Sequence, residues 1–186
     1  MASQLRVDKI LPVDGAPTGG GGGIVQVKQF TLTNTANGGF LLESSSSSFT
    51  ATPLLLAITP KFSTSKIKLE LNLFVTHENY YTGYIGIFKG SSSTAIQWDG
   101  ANNHNNSSIL IREGSFEDQS SEYQCHAHHF SFLDTAGTTS AITYNIKGYT
   151  NASGYATYIN RAQSRDQTNS NFPLLRSTLT LTEHSA

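Results

Sequence analysis

Three histidines, His126, His128 and His129, are the first side chains whose type and spacing could do chemistry. In an extended strand, residues i and i+2 lie on one face about 7 Å apart, so His126 and His128 could ligate one metal ion. His104, or a histidine of a second subunit, could complete such a site. No cysteine or carboxylate lies at a supporting short spacing, and an exposed polar strand face explains the cluster equally well. We expect no metal and no other cofactor.

The carboxylates, serines and glycines do not form the patterns that catalysis requires. A Gly-x-Ser-x-Gly nucleophile motif is absent from the sequence. Glu113, Glu117, Asp118 and Glu122 lie close together, but in a Gly/Ser/Gln-rich stretch that indicates a solvated loop, whereas glycosidases hold two carboxylates on rigid walls. The glycine run 19–23 is not followed by the Gly-Lys-Ser/Thr of a phosphate-binding loop. We therefore expect no enzymatic activity and no catalytic residue.

Aromatic residues within polar stretches indicate recognition more than catalysis. Trp98 precedes Asp-Gly, Tyr155 follows the polar stretch 151–154, and Tyr80 lies near Gly83. Tyrosine and tryptophan combine an apolar face with a hydrogen-bonding tip, which suits contacts with sugars or proteins. The alternative is that about half of these aromatics belong to the core or to cross-strand pairs. Trp98, Tyr155 and Tyr80 are the candidate receptor contacts.

Composition bounds the class of protein. Of the 186 residues, 37% are hydrophobic and only 13% are charged, so the polar surface must come from Ser, Thr, Asn and Gln. The net charge of −1 provides no basic field for nucleic acid, and no apolar run is long enough for a membrane helix. One cysteine, Cys125, forms no internal disulfide, and the amino terminus does not have the pattern of a signal peptide. We expect neither nucleic-acid binding nor membrane insertion, and assembly in a reducing cytoplasm.

The chain divides into an arm and a domain. Residues 1–23 combine the spaced apolar residues Leu5, Val7, Ile10 and Leu11 with prolines and five consecutive glycines, a composition that predicts an extended segment held by a partner. Residues 24–186 form the predicted domain. We interpret residues 1–23 as a docking arm, with these four apolar residues as its anchors.

From residue 24 onward the sequence has the period of β-strands. Apolar residues alternate from Ile67 to Val75, and stretches rich in Gly, Asn and Ser separate the predicted strands. The run 54–58 predicts a fully buried strand. Short strands at such spacing predict an all-β fold, an antiparallel, jelly-roll-like β-sandwich. The predicted strands are 24–32, 40–43, 54–58, 66–76, 81–89, 95–98, 107–112, 122–132, 142–149, 155–160 and 177–183.

Several of these segments resemble the β-sandwich knobs of tailed-phage fibres, above all those of cyanophages. Residues 58–66, Ile-Thr-Pro-Lys-Phe-Ser-Thr-Ser-Lys, are similar to the entry of the knobs' second strand. Phe-Leu-Asp at 132–134 with Thr-Thr-Ser-Ala-Ile-Thr-Tyr at 138–144 resembles a knob hairpin. Tyr-Ile-Asn-Arg at 158–161 and residues 177–183 resemble the last two strands, and the arm is similar to cyanophage virion arms.

The resemblance implies a non-enzymatic homotrimer on the virion surface, assembled in the bacterial host cytoplasm. The arm would bind the major capsid protein or another virion protein, and a host cell-surface glycan is a further expected partner. Because no shaft separates the arm from the knob, we favour capsid decoration or cementing. A tail-associated adhesin that binds host glycan through Trp98 and the Tyr155 loop is the alternative. A secreted trimeric jelly-roll ligand is disfavoured by the amino-terminal sequence.

Overall fold

A computed structural model describes residues 23–33, 40–42, 49–77, 83–92, 95–96, 109–111, 125–150, 157–160 and 175–185. Every regular element in these residues is a β-strand. No helix in this part of the chain is long and apolar enough to cross a membrane. The strands are β1 (Ile24–Leu32), β2 (Phe40–Leu42), β3 (Thr50–Ile58), β4 (Lys66–His77), β5 (Gly83–Lys89), β6 (Ile109–Ile111), β7 (His126–Thr135), β8 (Ile142–Thr150), β9 (Thr157–Ile159) and β10 (Ser177–His184).

The strands form two antiparallel sheets. Sheet 1 has the order β1-β10-β4-β9-β2, and β7 also pairs with β4. The long strand β4 pairs with β10 and then with β9 along successive stretches, and with β7 from Lys66 to Val75. Sheet 2 has the order β3-β8-β5-β6. The prediction of an all-β, antiparallel fold is confirmed.

The core lies between the two sheets. Alternate residues of β4, from Ile67 to Val75, are buried as their period predicts, because every second side chain of a strand lies on the same face. Leu179 and Leu181 of β10 extend this apolar layer. Sheet 2 contributes apolar side chains from its three longer strands: Leu54, Ile58, Ile85, Ile87, Ile142, Tyr144 and Ile146. The result is a sandwich-like arrangement of two sheets.

The two ends of the sandwich differ, and we call the end at which Gly23 lies the arm end and the opposite end the far end. At the arm end, Gly23 accepts a backbone hydrogen bond from Ser185 at 2.9 Å, and the short turns 59–65 and 136–141 join strands. At the far end, β4 ends, β5 begins, β8 ends and β9 begins, as the register between these strands requires. Lys66, at the arm end of β4, is eight residues from Phe74, or about 26 Å at about 3.3 Å per residue. Residues 1–22 therefore join the domain at the end opposite to Phe74.

Three local predictions were wrong. The run 54–58 is not fully buried, since Leu55 is 49% exposed and Ala57 is exposed, because β3 is an edge strand with one outer face. The segment 132–144 is not a hairpin, because β7 belongs to sheet 1 and β8 to sheet 2, so residues 136–141 cross between the sheets. In place of a strand at 95–98, Ala95 forms an isolated bridge with Phe88, and 97–98 lie outside the described residues.

Candidate functional site

A groove on the outer face of sheet 1, near the far end, is the most site-like feature of the described residues. It has a volume of about 320 Å³, which is at the lower end of the range of small-ligand pockets. Strand β4 supplies its centre, β7 one wall, and the start of β10 the other. We call it the outer groove; its lining residues are Asn72, Leu73, Phe74, Ala127, His128, His129, Arg176 and Thr178.

A row of hydrogen bonds fixes the polar side chains of the outer groove. In the register of sheet 1, Asn72 of β4 lies between Thr178 of β10 and His129 of β7. Asn72 Nδ2 donates to Thr178 Oγ1 at 3.1 Å, and Asn72 Oδ1 lies 2.7 Å from His129 Nδ1. Because an amide oxygen can only accept, His129 Nδ1 is the donor in this contact. The three side chains are thus held in one arrangement across three strands.

The backbone beneath the groove is held by a buried polar junction. The Phe74 N–H donates to Ser177 Oγ at 3.0 Å, and Ser177 Oγ donates to Asn160 Oδ1 at 2.6 Å. Asn160 N–H donates to the Phe74 carbonyl at 2.9 Å, and its Nδ2 donates to the Leu32 carbonyl at 2.8 Å. Asn160 has a φ of 66°, a left-handed conformation that asparagine tolerates better than most residues. This junction lies between the stretch of β4 that pairs with β10 and the stretch that pairs with β9, so it continues the hydrogen bonding of β4 from one partner strand to the other.

The electrostatics of the outer groove are set by one side chain. Among the described residues that line it, Arg176 carries the only permanent charge and no carboxylate is present. The two ion pairs within the described part of the chain, Lys68–Glu70 and Lys89–Asp134, do not involve Arg176. The groove therefore offers an exposed guanidinium beside an aromatic ring and fixed polar groups.

At the arm end, a buried carboxylate joins three segments of the chain. Glu183 of β10 is 0% exposed. Its Oε1 accepts from the Lys61 N–H at 2.7 Å, from Ser65 Oγ at 2.7 Å and, at 3.4 Å, from the Phe62 N–H. Its Oε2 accepts from Gln26 Nε2 at 2.5 Å, and the same Gln26 group lies 2.7 Å from the Thr59 carbonyl. Glu183 thus fixes the turn 59–65 to the first and last strands.

The ionised form of Glu183 is the one that this arrangement stabilises. Burial alone would raise the pKa of the carboxyl, but hydrogen bonds from Gln26, Ser65 and the backbone of the turn 59–65 favour the charged form and lower the pKa below its ordinary value of 4.5. The turn 59–65 in turn accepts the loop after β7, since Ala136 N–H donates to the Ser65 carbonyl at 2.9 Å and Gly137 N–H to the Ser63 carbonyl at 2.8 Å. The arm end is therefore a rigid, cross-linked base.

A second polar cluster holds the connection between β7 and β8. Asp134 Oδ2 accepts from Tyr144 OH at 2.7 Å and pairs with Lys89 Nζ at 2.8 Å. Lys89 Nζ also donates to the Thr135 carbonyl at 2.7 Å. Burial, with the hydrogen bond to Asp134 and its negative charge, raises the pKa of Tyr144. These contacts tie the edge of sheet 1 to the middle of sheet 2.

The outer face of sheet 2 carries an aromatic cluster. Tyr84 and Tyr149 stack with ring centroids 4.6 Å apart, and Phe49 forms T-shaped contacts with Tyr149 and with Phe88, with ring centroids 4.9 Å apart in each pair. Lys147 Nζ lies 4.5 Å above the Phe88 ring centroid. Phe88 is thereby buried outside the main core.

The three neighbouring histidines do not lie on one face of β7. His126 and His128 lie on one face of β7, half-buried and in register with Val75 and Leu73, whereas His129 lies on the opposite face in the outer groove. The His128 ring stacks with that of Phe130 at 6.2 Å. The described residues contain no group of three or more His, Cys, Asp or Glu side chains placed to hold a metal ion. His104 lies outside the described residues.

The other predicted site residues lie outside the described residues. These are the arm anchors Leu5, Val7, Ile10 and Leu11, and the receptor candidates Trp98, Tyr155 and Tyr80. The carboxylates at 113–122 also lie outside them.

Sequence reasoning missed the residues that the structure brings together. Asn72, Phe74 and Thr178 look like ordinary alternating strand residues, and only the register of β10, β4 and β7 makes them neighbours. Glu183 carried a usable signal, because a carboxylate within an otherwise Thr/Leu strand is unusual and requires partners when buried. No protein-family model matches this sequence, and no curated protein matches it.

Proposed function

We propose that this chain is a non-enzymatic structural protein of a tailed-phage virion, a homotrimeric knob that its amino-terminal arm anchors to the capsid surface. The observation that carries the proposal is that the attachment point of the arm and the outer groove lie near opposite ends of the domain. Residues 1–22 join it at Gly23, at the end cross-linked by Glu183, while the outer groove is near the opposite end. This arrangement suits a domain held at its base and presenting its far end to solvent.

The rigid arm end supports an anchoring role. A tether transmits force only if the residues that follow it are fixed, and here Gly23 is bonded to Ser185 two residues beyond Glu183. The resemblance of the arm and of residues 58–66 to phage virion proteins supports the same assignment. Deletion of residues 2–18 should leave the domain folded and oligomeric while abolishing incorporation into particles.

The arm test has a matched control. Replacement of Leu5, Val7, Ile10 and Leu11 by serine should reproduce the deletion, because apolar anchors supply the docking energy. Lys9→Gln changes a polar residue of the same segment and should leave incorporation normal. Normal incorporation of the serine variant would contradict the docking role.

Homotrimerisation is the second part of the proposal. A threefold ring is a closed heterologous assembly, so each subunit uses two different patches. Phe74, Phe88 and Phe130 are the apolar residues that we expect at this contact or in the core. Phe88 is buried in the aromatic cluster, Phe130 packs against the core, and Phe74 is half-buried on the outer face of sheet 1. Leu133 is 58% exposed and lies in register with Lys68 on the outer face of sheet 1, the face opposite to Phe130, where it adds apolar surface. Light scattering on recombinant protein should give the mass of three chains, and a monomer at micromolar concentration would contradict the assembly.

A tail-associated adhesin is the alternative function. Strands β4 and β5 flank the segment that contains Tyr80, and β8 and β9 flank the segment that contains Tyr155. At the far end, β4 and β8 end and β5 and β9 begin. An adhesin needs its receptor contacts at the end opposite to its anchor. Adsorption of Trp98→Ala, Tyr80→Ala and Tyr155→Ala particles to host cells tests this: impaired adsorption favours the adhesin, and unchanged adsorption leaves capsid decoration.

A further inference from the structure

We propose that the outer groove binds a carboxylated sugar residue, a uronic acid within a glycan, with Arg176 as the carboxylate contact and Phe74 as the platform for the sugar ring. The inference does not depend on the proposed virion role, because it concerns a groove built from the described residues of one chain. It also assigns ligand recognition to residues other than Trp98, Tyr155 and Tyr80.

Charge complementarity identifies the acidic group of the ligand. Arg176 is exposed, lines the groove and faces no carboxylate among the described lining residues. A guanidinium presents paired N–H donors that match both oxygens of a carboxylate. Because the groove has one fixed positive charge, a singly charged carboxylate balances it, whereas a phosphate dianion would leave excess negative charge.

The remaining groups match a hydroxylated ring. Phe74 is half-buried on the outer face of β4, so part of its ring remains accessible, and an aromatic face packs well against the C–H groups of a pyranose. Thr178 Oγ1 already accepts from Asn72, so its own hydroxyl proton is available to donate. With Nδ1 of His129 donating to Asn72, the Nδ1–H tautomer leaves Nε2 as an acceptor. The groove thus offers a hydroxyl donor and an imidazole acceptor beside the ring platform.

The groove is also preorganised, which reduces the entropic cost of binding. Asn72 holds Thr178 and His129, and the buried Asn160–Ser177 junction holds the backbone of Phe74. A volume of about 320 Å³ suits one sugar residue, with neighbouring residues of a glycan continuing across the exposed sheet face.

The test titrates the full-length protein with methyl β-D-glucuronide and, as the matched neutral ligand, methyl β-D-glucoside, following binding by NMR or calorimetry. We expect the glucuronide to bind at least about 10-fold more tightly than the glucoside, as one charge-assisted contact implies. Arg176→Gln should abolish this preference, and Phe74→Leu should weaken both sugars. Lys68 lies four residues from Asn72 on the same face of β4, more than a Debye length from the groove. Lys68→Gln should therefore change neither affinity by more than about twofold.

The controls separate the possible outcomes. Thermal unfolding of each variant shows that the fold is retained, and Arg176 is exposed, so its replacement does not disturb the core. Equal binding of the two sugars, the absence of saturable glucuronide binding, or an unchanged preference in Arg176→Gln would each overturn the proposal. Acetate binding as tightly as glucuronide would overturn the role of Phe74, and tighter binding of glucose 6-phosphate would overturn the assignment of a carboxylate.

Discussion

Replacement of Glu183 by glutamine should destabilise the domain by about 2–4 kcal/mol. The substitution keeps the size of the side chain but removes its charge and turns one acceptor atom into a donor. Glu183 accepts three contacts of 2.7 Å or less, from Lys61 N–H, Ser65 Oγ and Gln26 Nε2. The new amide oxygen can keep the contacts of Oε1, but its NH2 group then faces the NH2 group of Gln26.

The expected magnitude follows from the chemistry of that site. Gln26 could restore a bond by rotating its amide, but it would then lose its own bond to the Thr59 carbonyl. The variant therefore loses one hydrogen bond, and its remaining hydrogen bonds no longer involve a charged group. A hydrogen bond to a charged group contributes about 1.5–3 kcal/mol. Urea denaturation at neutral pH, with linear extrapolation, measures the difference.

The matched control is Glu70→Gln. Glu70 lies on the outer face of sheet 1 in an ion pair with Lys68, partly exposed to solvent. Surface pairs of this kind contribute about 0–1 kcal/mol, so this variant should remain close to wild type. A loss in Glu183→Gln no larger than that in Glu70→Gln would refute the account of the arm end.

The pH dependence gives an independent check of the same carboxylate. Because folding lowers the pKa of Glu183 from its ordinary 4.5, its contribution is fully present above that value and is lost as the pH falls through the lower, folded-state pKa. The stability difference between wild type and Glu183→Gln should therefore shrink as the pH falls below about 4.5. A difference that is constant between neutral pH and about pH 3 would contradict the ionised assignment.

Three further predictions concern the packing and the polar junctions. Gly86→Ala should cost about 1–3 kcal/mol in urea denaturation, since its Cβ would lie 2.7 Å from Phe88 Cε2 and 3.1 Å from Phe49 Cε1; a neutral effect would contradict the aromatic cluster. Tyr144→Phe should cost about 1–2 kcal/mol at neutral pH. Because folding raises the Tyr144 pKa, the stability of the wild type should also fall above about pH 10, and the stability of Tyr144→Phe should fall less steeply. The same dependence of stability on alkaline pH in both proteins would contradict this role of Tyr144. Asn160→Ala should destabilise the domain by about 2–4 kcal/mol, because it removes hydrogen bonds and places alanine at a positive φ. Asn160→Gly should destabilise it by less, because glycine adopts a positive φ freely, and equal losses in the two variants would exclude a contribution from φ.

Much of the fold could be predicted because the strand period is a local signal. The boundaries of β1 agree with the prediction and those of β4 differ by one residue, since alternation from Ile67 to Val75 depends only on which side chains face the core. The hairpin that the resemblance implied for 132–134 with 138–144 was wrong, because β7 and β8 lie in different sheets and the strand period does not indicate in which sheet a strand lies. Tyr144 does contact Asp134, but across the sandwich, by a side-chain hydrogen bond.

The candidate site could not be predicted for the same reason. Asn72, His129 and Arg176 are far apart in the sequence, and only the long-range register of three strands brings them to one groove. The burial of Glu183 likewise depends on a turn more than a hundred residues away. Alternation predicts which face a residue occupies, but the neighbours on that face depend on register.

The central claim, a trimeric domain anchored on a capsid, is tested most directly by the number of copies of this chain per virion. Quantitative mass spectrometry of purified particles, calibrated against the major capsid protein, measures it. Decoration of the capsid predicts hundreds of copies per particle, because the anchoring sites repeat over the whole shell. A handful or a few dozen copies would contradict capsid decoration and assign the chain to the tail.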